Sequence, residues 1–247
     1  MRMALYEQDL AYIQAVGFGG LVNGAMPAVI ERLRSCRIPV RRVIDVGCGA
    51  GISTRALVDA GFETWAIEPS PSLRAVARDN SPGTRFVLGS AYEVALEPCE
   101  AILALGEPLT YHAPAVDADA LVRDFFDGAA RALAPGGLLV FDLIDCAGAP
   151  LDARGWSSGD DWALLYETRE DQPARSLTRH IETFRTTGAD GSTYRRSREV
   201  HHVRTFAAAE VERWLDRAGF GVEVSDAYGS YKLASRRRAF FAVRRHR

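Results

Sequence analysis

Residues 43–51 read Val43-Ile44-Asp45-Val46-Gly47-Cys48-Gly49-Ala50-Gly51, and no other stretch of the chain restricts its fold as tightly. Three β-branched residues around a single acid, ended by glycine, suit a strand buried on both faces of a parallel sheet. The glycines permit a tight turn and let a ligand approach the main chain closely. Residues 52–60 then carry a helical pattern, with Gly61 in the usual stop position. The helix N-terminus adds positive potential to the turn. Glu68, at the end of the next strand, can accept both hydroxyls of a ribose. This is the layout of a site for a nucleoside-bearing cofactor at the carboxyl edge of a sheet.

The alternation of strand and helix continues on both sides of Glu68. Residues 64–67 read as a strand. Ser70-Pro71 reads as an N-cap with proline at the first helical position, and the helix should run through Leu73, Val76 and Ala77 to about residue 80. Strands follow at 85–88 and 101–105. A helix over 117–133 has Leu121, Phe125, Ala129 and Leu133 on one face, and Pro135-Gly136-Gly137 ends it before a fifth strand at 138–144. Such alternation implies right-handed crossovers, a parallel sheet and helices on both faces.

The flanks have a different texture. Over residues 1–40, Tyr6, Leu10 and Ile13 form a helical stripe, and Met26, Val29, Ile30 and Leu33 repeat it after a glycine break at 17–20. From about residue 155 the period becomes strand-like, with long segments at 162–168, 177–185 and 194–206. Turn residues at 170–173 and 188–191 separate them into an antiparallel three-stranded elaboration. A helix carrying Val211, Trp214 and Leu215 and ending at Gly219, then strands at 220–224 and 239–243, follow.

Composition removes several classes. Among 247 residues, 30 basic and 32 acidic side chains leave a net charge of −2, so no nucleic-acid partner is expected, because backbone binding needs clustered cations. The basic runs Arg236-Arg237-Arg238 and Arg244-Arg245-His246-Arg247 are read as charged flanks that keep the last apolar strand soluble. No apolar run approaches the ~20 residues that span a bilayer, and the start, with Glu7 and Asp9, does not read as a secretory signal. Four widely spaced cysteines without a Cys-x-x-Cys pair suit a reduced, cytoplasmic protein. With 47% hydrophobic and 25% charged residues, the chain has the ordinary globular mix and needs no metal or disulfide to fold.

The cofactor class follows from what the glycine turn lacks. The dinucleotide fingerprint requires a third glycine at position 52, which is Ile52, and no Gly-Lys-Ser/Thr follows for a phosphate loop. The pattern D-x-G-x-G-x-G instead resembles the class I S-adenosylmethionine-dependent methyltransferases, over about residues 40–145 closely and elsewhere in outline. Glu68 stands 23 residues after Asp45, and Leu133-Ala134-Pro135-Gly136-Gly137 matches that family's L-x-P-G-G turn. The resemblance implies that Gly47, Cys48, Gly49, Ala50 and Gly51 lie against the methionine part of the cofactor, that Glu68 holds its ribose and that Pro69 lies near the adenine. Ser90, followed by Ala91, occupies the place where the family often has an acid reading the adenine amino group; its hydroxyl is a weaker partner. Leu105, Gly106 and Glu107 would face the transferring methyl group.

The remaining candidates are weighed on their chemistry. Asp45, an acid inside an apolar strand, must find partners; it either orders the glycine loop or reaches the cofactor's amino group, or caps backbone N–H groups. Cys48 is read as an inert thiol. Glu107, Tyr111 and His112 follow the fourth strand, where an acceptor should meet the sulfonium, and are the candidate catalytic residues. Of these, His112 is either the natural base for a protonated acceptor, histidine having an ordinary pKa of about 6.5, or a solvated loop residue, while Glu107 is read more as a pocket contact. His201 and His202 point to opposite faces of a strand, so no metal is expected even with His180 near. Trp156, Trp162, Tyr166, Tyr228 and Tyr231 fall in the region that would cover the site. Glu107-Pro108-Leu109-Thr110 departs from the N/D-P-P-Y/F tetrad of base methyltransferases.

The expected molecule is one α/β domain over residues 1–247, a doubly wound, Rossmann-like sheet of seven mostly parallel strands with the last antiparallel. A helical lid (1–40) and an antiparallel β insertion (155–206) would cover the site. The expected activity is methyl transfer from S-adenosylmethionine to O or N of a small-molecule metabolite, leaving S-adenosylhomocysteine, by a monomer or homodimer. A lyase or cyclase using the same cofactor, and a non-catalytic cofactor-binding protein, are the alternatives.

Overall fold

The strand that carries Asp45 lies inside the central sheet, between two parallel neighbours. The computed structural model describes residues 5–113, 116–188 and 191–246. Two helices come first, α1 (Gln8–Gly17) and α2 (Gly20–Arg34), then β1 (Arg42–Val46), α3 (Ile52–Asp59), β2 (Glu63–Glu68), α4 (Pro71–Asn80), β3 (Arg85–Leu88), β4 (Cys99–Ala104), α5 (Ala118–Ala132) and β5 (Leu133–Ile144). Four strands form a separate antiparallel sheet: β6 (Ala153–Ser158), β7 (Trp162–Asp171), β8 (Ser176–Thr186) and β9 (Tyr194–Arg204). The described chain continues with α6 (Ala208–Arg217), β10 (Phe220–Ser225), the short pair β11 (Ala227–Tyr228) and β12 (Tyr231–Lys232), and β13 (Arg237–Arg244).

The main sheet has the order β10-β13-β5-β4-β1-β2-β3. Strands β1 to β5 are parallel, and β13 runs antiparallel to both β5 and β10. This is the doubly wound, seven-stranded sheet read from the alternation. Side chains of β1 alternate between two cores. Ile44 and Val46 pack with Phe126 of α5 and with Phe141 and Phe240, whose rings stack 4.8 Å apart. Val43 packs on the other face with Met26, Val29 and Leu33 of α2. Local signals set the helix ends. The Ser70 hydroxyl accepts the Leu73 N–H at 3.1 Å just before Pro71, and Asp117 Oδ1 accepts the Ala120 N–H at 3.0 Å.

Several elements differ from the sequence reading. The segment Pro135-Gly136-Gly137 does not precede the fifth strand; it lies within β5 as a bulge, where the register jumps from Cys99↔Leu133 to Ala101↔Leu138. Proline has no N–H for the ladder, so the strand departs from its neighbour there and rejoins at Leu138. The antiparallel sheet has four strands rather than three. Its extra strand, β6, pairs on one side only and carries mostly exposed residues without an apolar alternation. The β11–β12 pair is too short to show a pattern. Ala189 and Asp190 of the expected turn at 188–191, Arg247 and the first four residues of the 1–40 segment lie outside the described residues. Among the described residues no single helix is long and apolar enough to cross a membrane.

Helix α1 sits where the two sheets meet. Its Leu10 and Ile13 pack against Trp162 and Leu164 of β7, and its Ala11 against Ala50 and Leu73. The sheets are also joined through the backbone, where the Phe206 N–H donates to Ile144 O at 2.9 Å and the Cys146 N–H to Phe206 O at 2.9 Å.

Gly51 begins α3 at φ +82°, and a Cβ there would stand 2.9 Å from the Ala77 backbone on α4. Gly51→Ala should lower the unfolding free energy by about 2–4 kcal/mol, combining left-handed strain with overpacking. Gly61 has φ +91° but open space around it, so Gly61→Ala should lose only the conformational part, about 1–2 kcal/mol. Urea unfolding of the two variants side by side checks this; equal losses would mean that α4 yields without cost.

Candidate active site

A cavity of about 1010 Å³ opens at the carboxyl edge of the parallel strands. The segments after β1 to β4 form one wall, with Gly47, Cys48, Gly49, Ala50, Glu68, Pro69, Ser90, Ala91, Leu105, Gly106 and Glu107. The opposite wall comes from Tyr6 and Leu10, from Leu164 and Tyr166 of β7, from Leu177, Arg179 and Ile181 of β8, and from Arg237 at the start of β13. Tyr111 and His112 line the cavity as well. The structure therefore brings together most of the sequence-picked residues from distant parts of the chain.

Asp45 and Gly51 are the two that do not reach the cavity wall. The Asp45 carboxylate is buried and accepts the hydroxyls of Ser53 at 2.7 Å and Thr54 at 2.6 Å. Burial raises its pKa, and the two hydroxyls pull it partly back. Side-chain hydroxyls, rather than backbone N–H groups, are thus its partners, and they tie β1 to the first turn of α3. Gly51 turns away from the cavity toward α4.

The glycine loop is anchored to β2. Gly47 and Cys48 donate their N–H groups to Ile67 O at 2.8 and 3.2 Å. Gly47 has φ +65°, and a Cβ there would lie 2.3 Å from Pro108 Cβ, so only glycine lets the loop after β4 press this close. Glu68 accepts the Gly49 N–H at 2.9 Å and the Ser70 N–H at 2.8 Å, one on each carboxylate oxygen. A carboxylate offers about four acceptor sites, so further donors can still be taken. Burial lifts Glu68 to about 7, against the pull of those two N–H groups. Ser90 makes no comparable contact through its hydroxyl; its N–H donates to the Glu93 carboxylate at 3.2 Å, and Glu93 also lines the cavity. The Cys48 thiol is buried, and burial pushes its pKa well up.

On the far side, Glu107 is buried with a left-handed backbone, φ +64°. Arg179 hydrogen-bonds its Oε1, and Arg237 Nη2 lies 3.1 Å from its Oε2. Burial alone would raise the Glu107 pKa, but the two guanidinium groups outweigh it and hold the carboxyl below its ordinary range. Arg237 also donates to Asp142 Oδ1 at 2.8 Å, and Asp142 Oδ2 accepts the Gly106 N–H at 2.7 Å. Arg236, beside it, is paired with Glu170. The Arg236–Arg238 run is therefore no solvated flank; two of its members are enclosed in ion pairs. The Tyr111 hydroxyl lies 3.0 Å from that of Tyr6, and burial, then the Glu107 charge, raise its pKa.

His112 is placed differently from the expected base. Its Nδ1 faces Ala113 O at 3.0 Å, and its Nε2 is shut off from solvent with no partner among the described residues. His201 is buried outside the cavity against Glu199, at 2.9 Å. Among the described residues no three His, Cys, Asp or Glu side chains come together around a metal position. Of the aromatics expected to cover the site, Tyr166 lines the cavity, Trp162 packs on α1, Tyr228 is buried with its hydroxyl on Asp142, and Trp156 is exposed. Sequence reasoning missed Tyr6, Asp142 and Arg179, and misread Arg237. An arginine in a half-polar strand carries no spacing signal, whereas the buried acid Asp142 in the apolar run 138–144 was a sign that a cation would meet it.

The sequence profile of a family described as a methyltransferase domain matches residues 21–224. The chain belongs to this methyltransferase family. A similar curated protein is the cypemycin N-terminal methyltransferase of a Streptomyces species, 28% identical over 199 residues that cover 77% of this chain and 76% of that one. Among solved structures, an S-adenosylmethionine-dependent methyltransferase from Clostridium acetobutylicum superposes with a TM-score of 0.79 at 18% identity, covering 96% of this chain and 98% of the other. The sugar N-methyltransferase KedS8 from Streptoalloteichus gives 0.77 at 24% identity, covering 99% and 94%. The two-sheet methyltransferase fold is thus shared almost end to end.

Burial separates the thiols of this methyltransferase. Cys48 and Cys99 are buried, with Cys99 pushed up to about 12, while Cys36 and Cys146 are partly exposed. With a thiol reagent at about pH 8, where accessible thiols react as thiolates, only Cys146 and, more slowly because burial raises its pKa, Cys36 should be modified in the native protein, and all four in denaturant. Rapid native labelling of Cys48, read by peptide mass mapping, would restore it as a nucleophile.

Proposed function

We infer that this methyltransferase moves a methyl group from S-adenosylmethionine to an oxygen or nitrogen of a small molecule. The observation that carries the reading is a single cavity whose lining joins a glycine-and-acid wall suited to a nucleoside with mostly apolar residues of β7 and β8. S-adenosylmethionine supplies a methyl group already activated on a sulfonium. The residues present fit it. Glu68 has acceptor sites left for ribose hydroxyls after its two N–H contacts. The bare backbone of Gly47–Gly49 would admit the methionine part, Pro69 and Ala91 would lie by the adenine, and the Ser90 hydroxyl would serve its amino group. A cavity of about 1010 Å³ lined on both sides leaves room for a second substrate beside the cofactor, which sets the lyase or cyclase alternative behind transfer.

The residues around the acceptor act by placement. Leu105, Gly106 and Glu107 would face the transferring group, and the first helix with the antiparallel sheet would cover it and exclude water. Alignment and desolvation are the main needs of such a displacement. Glu107, held ionised by two guanidinium groups, is a weak base, and the Tyr111 phenol holds its proton. Glu107 and Tyr111 therefore position the acceptor, and the Nε2 of His112 is sealed with no partner among the described residues. An acceptor that arrives unprotonated needs no base.

Calorimetric titration tests the reading. S-adenosylmethionine and S-adenosylhomocysteine should bind, and Glu68→Ala should weaken both at least tenfold, about 1.4 kcal/mol. Ribose hydroxyls donate best to the ionised carboxylate, and free Glu68 titrates at about 7, so protons compete with the ligand below that pH. Affinity should be flat above about pH 7 and fall up to tenfold for each unit below it, while Glu68→Gln should bind weakly with no such slope. A flat wild-type profile between about pH 5.5 and 8 would remove Glu68 from the ribose.

A further inference from the structure

Arg179, at the cavity wall, leaves part of its hydrogen-bonding capacity unused among the described residues. Arg179 stands on β8 in the inward row between Leu177 and Ile181, and its side chain is 23% exposed, at the cavity wall. Its Nη1 serves Glu107 and, at 3.3 Å, the Tyr111 hydroxyl. Among the described residues, Nε and Nη2 donate to none, and neither belongs to the sealed, unpartnered atoms of the protein. Those two nitrogens present parallel N–H groups along one edge of the guanidinium, a fork that fits the two oxygens of a carboxylate. The protein uses this edge in the same way elsewhere. Arg204 grips Asp119 through Nε and Nη2 at 2.9 and 3.0 Å, and Arg195 grips Asp9 through the same pair.

We propose that the acceptor is a small molecule bearing a carboxylate, which docks on the Nε–Nη2 edge of Arg179 with its apolar remainder against Leu164, Leu177 and Ile181. The proposal rests on the methyl-transfer reading. Arg237 is already engaged with both Glu107 and Asp142, so a single planar monoanion suits the free edge of Arg179 better than a phosphate dianion, which calls for more cations. The buried position strengthens the contact, because a charge-assisted bond in a low-dielectric chamber is weakly screened. Arg179 thereby acts as the specificity residue, and Glu107 and Tyr111 hold its guanidinium in place.

The experiment uses the protein saturated with S-adenosylhomocysteine, titrated with hexanoate and benzoate and with their neutral isosteres hexanamide and benzamide. The carboxylates should bind at least tenfold more tightly than the amides. Arg179→Lys keeps a charge for Glu107 and loses the fork. It should bring carboxylate affinity down at least tenfold while leaving S-adenosylhomocysteine affinity unchanged, which also shows that the variant is folded. If Arg179→Lys does not fold, the wild-type comparison of acid and amide still decides. Carboxylates that bind no better than amides, or that bind Arg179→Lys as well as wild type, overturn the proposal alone. Failure of the wild-type protein to bind S-adenosylhomocysteine overturns the methyl-transfer reading and the proposal together.

Discussion

A carboxylate inside a protein is costly to keep charged unless cations or hydrogen-bond donors reach it, and much of this molecule is arranged around that requirement at Glu107. The residue follows Gly106 at the end of β4, both with left-handed backbones, so the chain turns its acid into the cavity. Arg179 reaches it from the antiparallel sheet and Arg237 from β13. Such a cluster adds little net stability, since desolvation offsets the attraction. Its effect is positional, because three segments distant in sequence must meet at one point for any of the charges to be tolerated. The cavity between the sheets takes its shape from that meeting.

Glu68, across the same cavity, meets that requirement the other way. Its partners are backbone N–H groups rather than cations, and burial carries it up to about 7. Two acids of similar burial are thus pushed apart in pKa by what surrounds them, a pattern that commonly separates roles within one site. The acid without a cation remains responsive to a ligand's hydroxyl donors. The acid between two cations is committed to holding the protein's own arginines.

The parallel half of the fold was legible because its determinants are local. The glycine turn, the Ser70-Pro71 cap and the short apolar run of β1 each act within a few positions, and the structure contains all of them. The residues of the glycine-and-acid wall were legible for the same reason, as they lie at strand ends that the pattern marks. Asp45 was half legible: its need for partners was clear, but the hydroxyls eight and nine residues on were not singled out. The acceptor side was mostly hidden. Tyr6, Arg179 and Arg237 matter through contacts far along the chain, and an arginine bound for a buried acid is written like one bound for solvent. Strand β6, exposed and paired on one side, left no apolar rhythm to read.

The antiparallel course of β13 has a consequence for the order in which the molecule assembles. Because it runs against β5, its first residue, Arg237, arrives at the edge where the parallel strands end. Asp142 is separated from that arginine by 95 positions. Until β13 docks, Asp142 and Glu107 lack their shared counter-ion, and enclosing them would strand uncompensated charge. Contacts of long sequence separation also form late for entropic reasons. The final closure of the sheet and the appearance of a finished acceptor chamber are therefore one event, so a chain with a properly formed chamber is also a chain that has completed its fold.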